Sequence, residues 1–353
     1  MSTFQKFIQY YKPYKKVFIF DLICAAFISL VDLAYPQILR SLTKTLFLKD
    51  ASMILKTLPI IGGILFICYI FQAFCKYYVS CQGHIMGAQM ERDMRRKLFD
   101  HYENLSFSYY DQHNTGQMMS RLVSDLFDIS EAAHHGPENL FISLVKIVGS
   151  FIFLFIIQWK LAIILLAIVL LMIFFSAKQN RKMQATFLDN RGKIGDVNAS
   201  LQDSLAGIRI VQSFANEDIE REKFRVGNEA FLDSKRDNYR AMGSFQSGNT
   251  FFQGMMYLVT LLAGGYFIAL GQMSAADLAM YALYIGIFIS PIQILVELTE
   301  MIQKGMSGFI RYQSVIDIEP EITDSVDAIN MKHPDGDICY HDVSFSYEDN
   351  EIV

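Results

Sequence analysis

Asp32 and Lys146 are a carboxylate and an amine set inside long apolar stretches of a 353-residue chain. An ionised side chain there is costly and usually faces a bundle interior or a water-filled path. The two can neutralise each other, or they can bind and release ions or cationic cargo. Asp21 precedes Asp32 by eleven residues, and eleven steps of about 100° return to within about 20° of the start, so both acids share one helix face. Glu297 and Glu300 share a face at the end of another apolar stretch. These groups suggest the polar lining of a translocation pathway, although Asp21, Glu297 and Glu300 also lie close enough to the stretch ends to be interfacial. Met255 (beside Met256, Phe251 and Phe252) and Phe288 suit a soft apolar cargo cavity, and equally suit core packing or lipid contact. His134-His135 point about 100° apart on a helix and precede Gly136-Pro137, so they read as a helix break and no metal site is expected. Gly83-x-x-x-Gly87 permits close helix packing. The run Arg92-Arg95-Arg96-Lys97 is interleaved with acids, which makes it a solvated helix face and not a nucleic-acid site.

The elements that position these residues follow from the distribution of charge. The chain is 52% apolar and 19% charged, but the charges leave six windows of about 20 residues almost untouched, enough for six membrane spans. A soluble globular enzyme and a disordered or collagen-like chain are excluded. The spans fall near 17–39, 58–80, 138–159, 161–177, 245–270 and 275–300. Phe4, Phe7, Ile8 and Tyr11 form one stripe, so residues 1–16 read as an interfacial amphipathic helix before a retained signal-anchor span. Five cysteines without C-x-x-C spacing read as free thiols. Twenty-four of the 31 Lys and Arg fall on the side of residues 1–16, 81–136, 177–244 and 301–353, which places both termini in the cytosol. Residues 317–353 carry eleven acids against Lys332 alone, a shift that marks a domain boundary near Asp317.

Two of the loops so defined, 81–136 and 177–244, are far longer than ordinary connections. They carry helical stripes, Met94, Leu98, Tyr102 and Leu105 in the first and Leu201, Leu205, Ile208 and Val211 in the second. A 30-residue helical extension reaches about 45 Å beyond the bilayer. Hairpins that long need a partner at their tips. The expected fold is therefore an all-α polytopic membrane protein with six transmembrane helices and long cytosolic helical extensions.

Four motifs in order along the chain resemble those of an ABC exporter of the six-helix multidrug and lipid-flippase type. Tyr10-Tyr11-Lys12-Pro13-Tyr14-Lys15 is similar to that family's elbow helix. Leu105-Ser106-Phe107-Ser108-Tyr109-Tyr110-Asp111, then Thr115-Gly116-Gln117-Met118-Met119-Ser120-Arg121-Leu122 and Asp125, resemble its first coupling helix and the helix leaving it. Gly207-Ile208-Arg209-Ile210-Val211-Gln212-Ser213-Phe214, with Glu217 and Phe224, resemble its second. Gly336-Asp337-Ile338 and Asp342-Val343-Ser344-Phe345-Ser346-Tyr347 are similar to the first strand of its α/β ATPase domain. The resemblance implies a transmembrane domain over 17–316, a linker over 317–335 and the start of a nucleotide-binding domain over 336–353. It further implies coupling regions at Tyr110, Asp111, Thr115, Gly116, Ser204, Gly207 and Arg209, within tips at 109–115 and 202–209, and an adenine-stacking role for Tyr347.

The implied protein uses ATP and Mg²⁺, pairs with a second half-transporter as a homo- or heterodimer, and docks nucleotide-binding domains on its hairpins. It lies in the plasma membrane among lipid and exports hydrophobic or amphipathic cargo by alternating access. One departure stands out: the chain contains no G-x-x-x-x-G-K-[ST] phosphate loop. The sequence is therefore expected to stop just inside the ATPase domain and not to hydrolyse ATP alone. Two other readings stay open, an ion-coupled secondary transporter using Asp32 and Lys146, and a catalytically silent partner of an ABC heterodimer.

Overall fold

The computed structural model describes residues 3–325, 327–329, 333, 335–344, 346–347 and 350–351. Its helices run α1 (Thr3–Gln9), α2 (Lys15–Ser41), α3 (Ala51–Tyr78), α4 (His84–Glu103), α5 (Phe107–Gln112), α6 (Thr115–Ser120), α7 (Leu126–Ala206), α8 (Ile208–Ser213), α9 (Glu217–Ala269) and α10 (Ala275–Ile316). Short π-helical turns at Leu42–Leu46, Val79–Gly83 and Arg121–Asp125 extend α2, join α3 to α4 and join α6 to α7. Five of these helical runs are long and apolar enough to cross a membrane.

The five runs make six passes, because α7 reverses at Gln158, its single non-helical residue (φ −151°, ψ 92°). The contacts of α7 along α10 establish the reversal. Ala132 lies against Gly305, Phe151 against Phe288, and the carbonyls of Leu154 and Gln158 against Tyr281. Beyond Gln158 the order inverts, with Asn180 meeting Val296 and Gln184 meeting Glu300. Tyr281 Oη shares its proton between Leu154 O at 2.7 Å and Gln158 O at 2.8 Å, which pins α10 to the carbonyls at the kink.

α10 starts with a capping box between Ser274 and Asp277. Asp277 also receives Arg40 Nε and Lys44 Nζ, each at 2.6 Å, which ties the end of α2 to the start of α10. The main core lies among α2, α7, α9 and α10, built on Leu165, Met172, Met256, Tyr284 and Phe288. Within a bilayer such packing is driven by dispersion and close fit. At the other end of α10, Gly305 and Gly308 admit the backbone of α7: a Cβ on Gly305 would stand 2.3 Å from Ala132 Cβ, and one on Gly308 3.0 Å from Asp125 O. A second core forms there from Leu98, Tyr102, Leu126, Phe309 and Tyr312, with Phe7 and Tyr10 of the α1 region packed on it. The apolar window of α3 contains no buried residue, as suits contact with lipid or another chain.

Two expectations need correction. His134–Pro137 is no helix break: α7 runs through it with Pro137 inside. Proline removes the N–H that would reach the carbonyl four residues back, and Tyr11 Oη replaces it by donating to Ala133 O at 2.5 Å. The second tip starts later than the expected 202–209, since residues 202–206 belong to α7 and the tip is Gly207 with α8 and the turn before Glu217. Ser346–Tyr347 and Asn350–Glu351 form a two-residue antiparallel ladder. Val343 is irregular and exposed, and Phe345 of the expected first strand lies outside the described residues.

Candidate functional site

The charged residues of the spans come together. Lys146 Nζ, from the first pass of α7, stands 2.6 Å from Asp32 Oδ2 on α2. Gln72 of α3 donates to Asp32 Oδ1 at 2.8 Å. One carboxylate thus joins three passes, and both its oxygens are satisfied. Asp32 also lines a cavity of about 220 Å³ with Tyr35, Tyr69 and Ile287. Asp21 is buried, and its Oδ1 has no hydrogen-bond partner.

The other lining candidates separate. Phe288 is wholly buried and packs on Phe151 at 5.2 Å between ring centres, within the core of the protomer. Met255 is half-buried and its neighbour Met256 is core. Glu297 is exposed, whereas Glu300 pairs with Lys304 at 2.6 Å and accepts from Gln184 at 3.2 Å. Beside them a cavity of about 300 Å³ opens between α7 and α10, lined by Asn180, Arg181, Gln184, Val296 and Thr299. Its mixed polar and apolar wall suits an amphipathic molecule.

The hairpin tips are short helices at sharp turns. In the first, α5 holds Tyr110 and Asp111; Tyr110 Oη donates to Tyr102 O at 2.5 Å, and Asp111 is exposed. Asn114 caps α6 by accepting from Gly116 N at 2.7 Å, which fixes Thr115 and Gly116 at the helix start. In the second, Gly207 separates α7 from α8 and Arg209 is exposed. Ser204 donates to Glu220 across the hairpin, and Lys223 also reaches Glu220, at 2.5 Å. Hydrogen bonds from Lys223 and then Ser204 hold the Glu220 carboxyl below its ordinary pKa. Both tips present large apolar side chains outward: Phe107 is 86% exposed, Phe214 72% and Ile210 67%.

Several residues that tie these parts together were not singled out from the sequence. Arg311 of α10 grips Asp125 with two hydrogen bonds, Nε to Oδ2 at 2.8 Å and Nη2 to Oδ1 at 2.6 Å. The Asp125 carboxylate raises the Arg311 pKa and holds it protonated. Lys6 meets Asp317 at 2.9 Å, tying α1 to the end of α10. The backbone of Tyr347 lies in the short ladder, away from these parts in sequence.

Six passes and two hairpins projecting to one side define a multi-pass membrane protein built as a transporter domain. Residues 18–292 match the family described as the ABC transporter transmembrane region, and the chain belongs to it. It is 36% identical over 350 residues to the uncharacterized ABC transporter ATP-binding protein YwjA of Bacillus subtilis (strain 168), covering 99% of this chain and 60% of that protein. An ATP-dependent lipid A-core flippase of Syntrophus aciditrophicus (strain SB) is 22% identical over 353 residues, covering 100% and 58%. A putative multidrug export ATP-binding/permease protein, YgaD of Bacillus subtilis (strain 168), is 25% identical over 358 residues, covering 99% and 60%. The chain thus spans about three fifths of the length of these relatives.

Proposed function

We propose that this chain is the membrane half of an ATP-driven exporter that moves hydrophobic or amphipathic compounds, drug-like or lipid-like, outward by alternating access. The observation that carries the reading is the pair of rigid hairpins with exposed apolar tips. α7 continues for about 30 residues past its apolar stretch, roughly 45 Å. Ile210 and Phe214 are held at that distance, and Phe107 stands at the other tip, with no cover among the described residues. A nucleotide-binding domain docked on Tyr110, Asp111, Thr115, Gly116, Ser204, Gly207 and Arg209 would cover them. Its movement would pass along the hairpins as rigid-body rotation of the passes. The printed names of the relatives, multidrug export and lipid A-core flippase, support the cargo class.

On this reading residues 17–316 are the transmembrane domain behind an elbow helix at 1–16. A linker over 317–335 leads into the start of a nucleotide-binding domain over 336–353. Both termini face the cytosol from the plasma membrane, and a second half-transporter completes the pathway. ATP and Mg²⁺ belong to the nucleotide-binding domain. Within this chain only Tyr347 is a candidate contact, by stacking on adenine, and no phosphate loop occurs in its 353 residues. No nucleotide chemistry is therefore assigned to the chain's own side chains.

The test is the full-length protein reconstituted in liposomes. Lipid-like or drug-like cargo should stimulate ATP hydrolysis and move in an ATP-dependent manner without an ion gradient. Transport that follows an imposed proton or sodium gradient, and stops in Asp32→Asn while ATP hydrolysis persists, would favour ion coupling instead.

A further inference from the structure

We propose that His84, His134 and His135 form a binding site for a divalent transition-metal cation at the inner ends of the second and third passes. Each histidine offers one ring nitrogen, and the three nitrogens lie within 4.8 Å of one another. The angular objection to adjacent histidines is met by a ligand from another helix. His84, first residue of α4, places its ring 4.6 Å from that of His134 and 4.9 Å from that of His135, which are themselves 4.0 Å apart.

The decisive group is His134, only 4% exposed. Its Nδ1 lies 2.9 Å from Ser130 O. A carbonyl only accepts, so Nδ1 carries a proton. Nε2 is then the free end, and it is buried without any hydrogen-bond partner. A neutral imidazole that donates one N–H to a carbonyl and keeps a bare lone pair on the other nitrogen has the arrangement of a metal-ligating histidine. A buried lone pair without a partner is otherwise an unrewarded desolvation.

The surroundings favour a cation. Glu131 Oε2 is 3.8 Å from His135 Nε2. Asp21 carries the unpartnered buried Oδ1, and a Cβ on Gly83, next to His84, would stand 3.4 Å from that atom. Glu138 is buried one turn beyond His134. Lys76 is the base close enough to act on both His135 and Glu138.

Imidazole donors suit zinc, copper and nickel, and Zn²⁺ takes three histidines with an open position for water. Metal–nitrogen bonds of about 2.0–2.1 Å put tetrahedral ligand nitrogens roughly 3.4 Å apart. The rings need close by about 1.4 Å at most, which the exposed His84 can supply by side-chain rotation. Gly87 already lets the helices approach, since a Cβ there would stand 2.8 Å from His134 Nδ1. A bound ion would clamp α4 to α7 where the first hairpin leaves the membrane.

The experiment uses full-length protein carrying no polyhistidine tag, stripped with chelator and titrated with Zn²⁺ by calorimetry and with Co²⁺ by visible absorption. One Zn²⁺ per chain is expected, with Co²⁺ d–d bands of a low-coordinate nitrogen site and a Zn²⁺-dependent rise in unfolding temperature. His84→Gln, an exposed position that should fold, and His135→Gln should each weaken binding at least tenfold and abolish the thermal shift. Absence of stoichiometric binding would overturn the proposal. So would binding of undiminished affinity in His84→Gln, which would mark the metal as adventitious.

Discussion

Arg311 and Asp125 are 186 positions apart in sequence, yet the guanidinium of one clasps both carboxylate oxygens of the other at 2.6 and 2.8 Å. Asp125 closes the π-helical turn between the first tip and α7, and Arg311 stands near the end of α10. The ion pair therefore joins the first hairpin to the helix that leads toward the acidic tail. Asp125 is buried, whereas Arg311 is half-exposed, so truncation leaves a buried carboxylate but with water near its partner. Arg311→Ala should lower unfolding stability by about 1–3 kcal/mol. Arg311→Lys should recover only part, because an ammonium cannot make the paired bonds. Thermal unfolding in detergent measures both, and a loss below a few tenths of a kcal/mol would mean the pair is not structural.

The Asp32–Lys146 pair sets up a different expectation. Removing one partner leaves a half-buried charge unpaired, whereas replacing both leaves none. Asp32→Asn and Lys146→Met should each destabilise by about 1–3 kcal/mol, and Asp32→Asn with Lys146→Met by less than the sum. Gln72 loses a charged acceptor in every variant with Asn at 32, so Gln72→Leu should matter less in that background. Additive single effects would mean that the two charges act independently.

Legibility in the sequence divided along physical lines. The passes were readable because a charge-free window reports its own transfer cost, and the hairpins because their charged faces exceed any loop's needs. What failed to show was whatever depends on a second, distant segment. Pro137 looked like a break because the hydroxyl that rescues Ala133 O belongs to Tyr11, on the far side of two passes. Asp32 and Lys146 stood out singly, but nothing local distinguished a pathway from a partnership. The bend at Gly207 had no local signal, because the stripe Leu201, Leu205, Ile208, Val211 keeps its period straight through it, and the resemblance alone placed the second tip at 202–209. His84 had no local signal, since its companions are fifty residues on. The reversal at Gln158 compressed a loop of a few residues to a single non-helical residue.

Gly305 tests how tightly α10 lies on α7. An added methyl would meet Ala132 Cβ at 2.3 Å and Asp128 O at 2.9 Å, and neither is the yielding end of a long side chain. Gly305→Ala should cost about 1–3 kcal/mol by overpacking, despite the better helix propensity of alanine. Gly243 has nothing within 4 Å of such a methyl, so Gly243→Ala should be neutral or stabilising. Comparison of the two unfolding temperatures checks the close approach, and equal behaviour would disprove it.

Tyr11 and Pro137 permit a cycle with a sign that a general packing role cannot imitate. Tyr11→Phe keeps the ring but removes the hydroxyl, which leaves the buried Ala133 carbonyl with neither a helical nor a side-chain donor. The expected cost is about 1–3 kcal/mol. Pro137→Ala restores a backbone N–H one turn beyond Ala133, so in that background the carbonyl already has a helical partner. Tyr11→Phe should then cost markedly less, with a coupling energy of roughly 1 kcal/mol or more between the two sites. Unfolding of the four proteins measures it. If Tyr11→Phe costs the same with proline or alanine at 137, the hydroxyl is not replacing the missing N–H, and the continuity of α7 through Pro137 needs another cause.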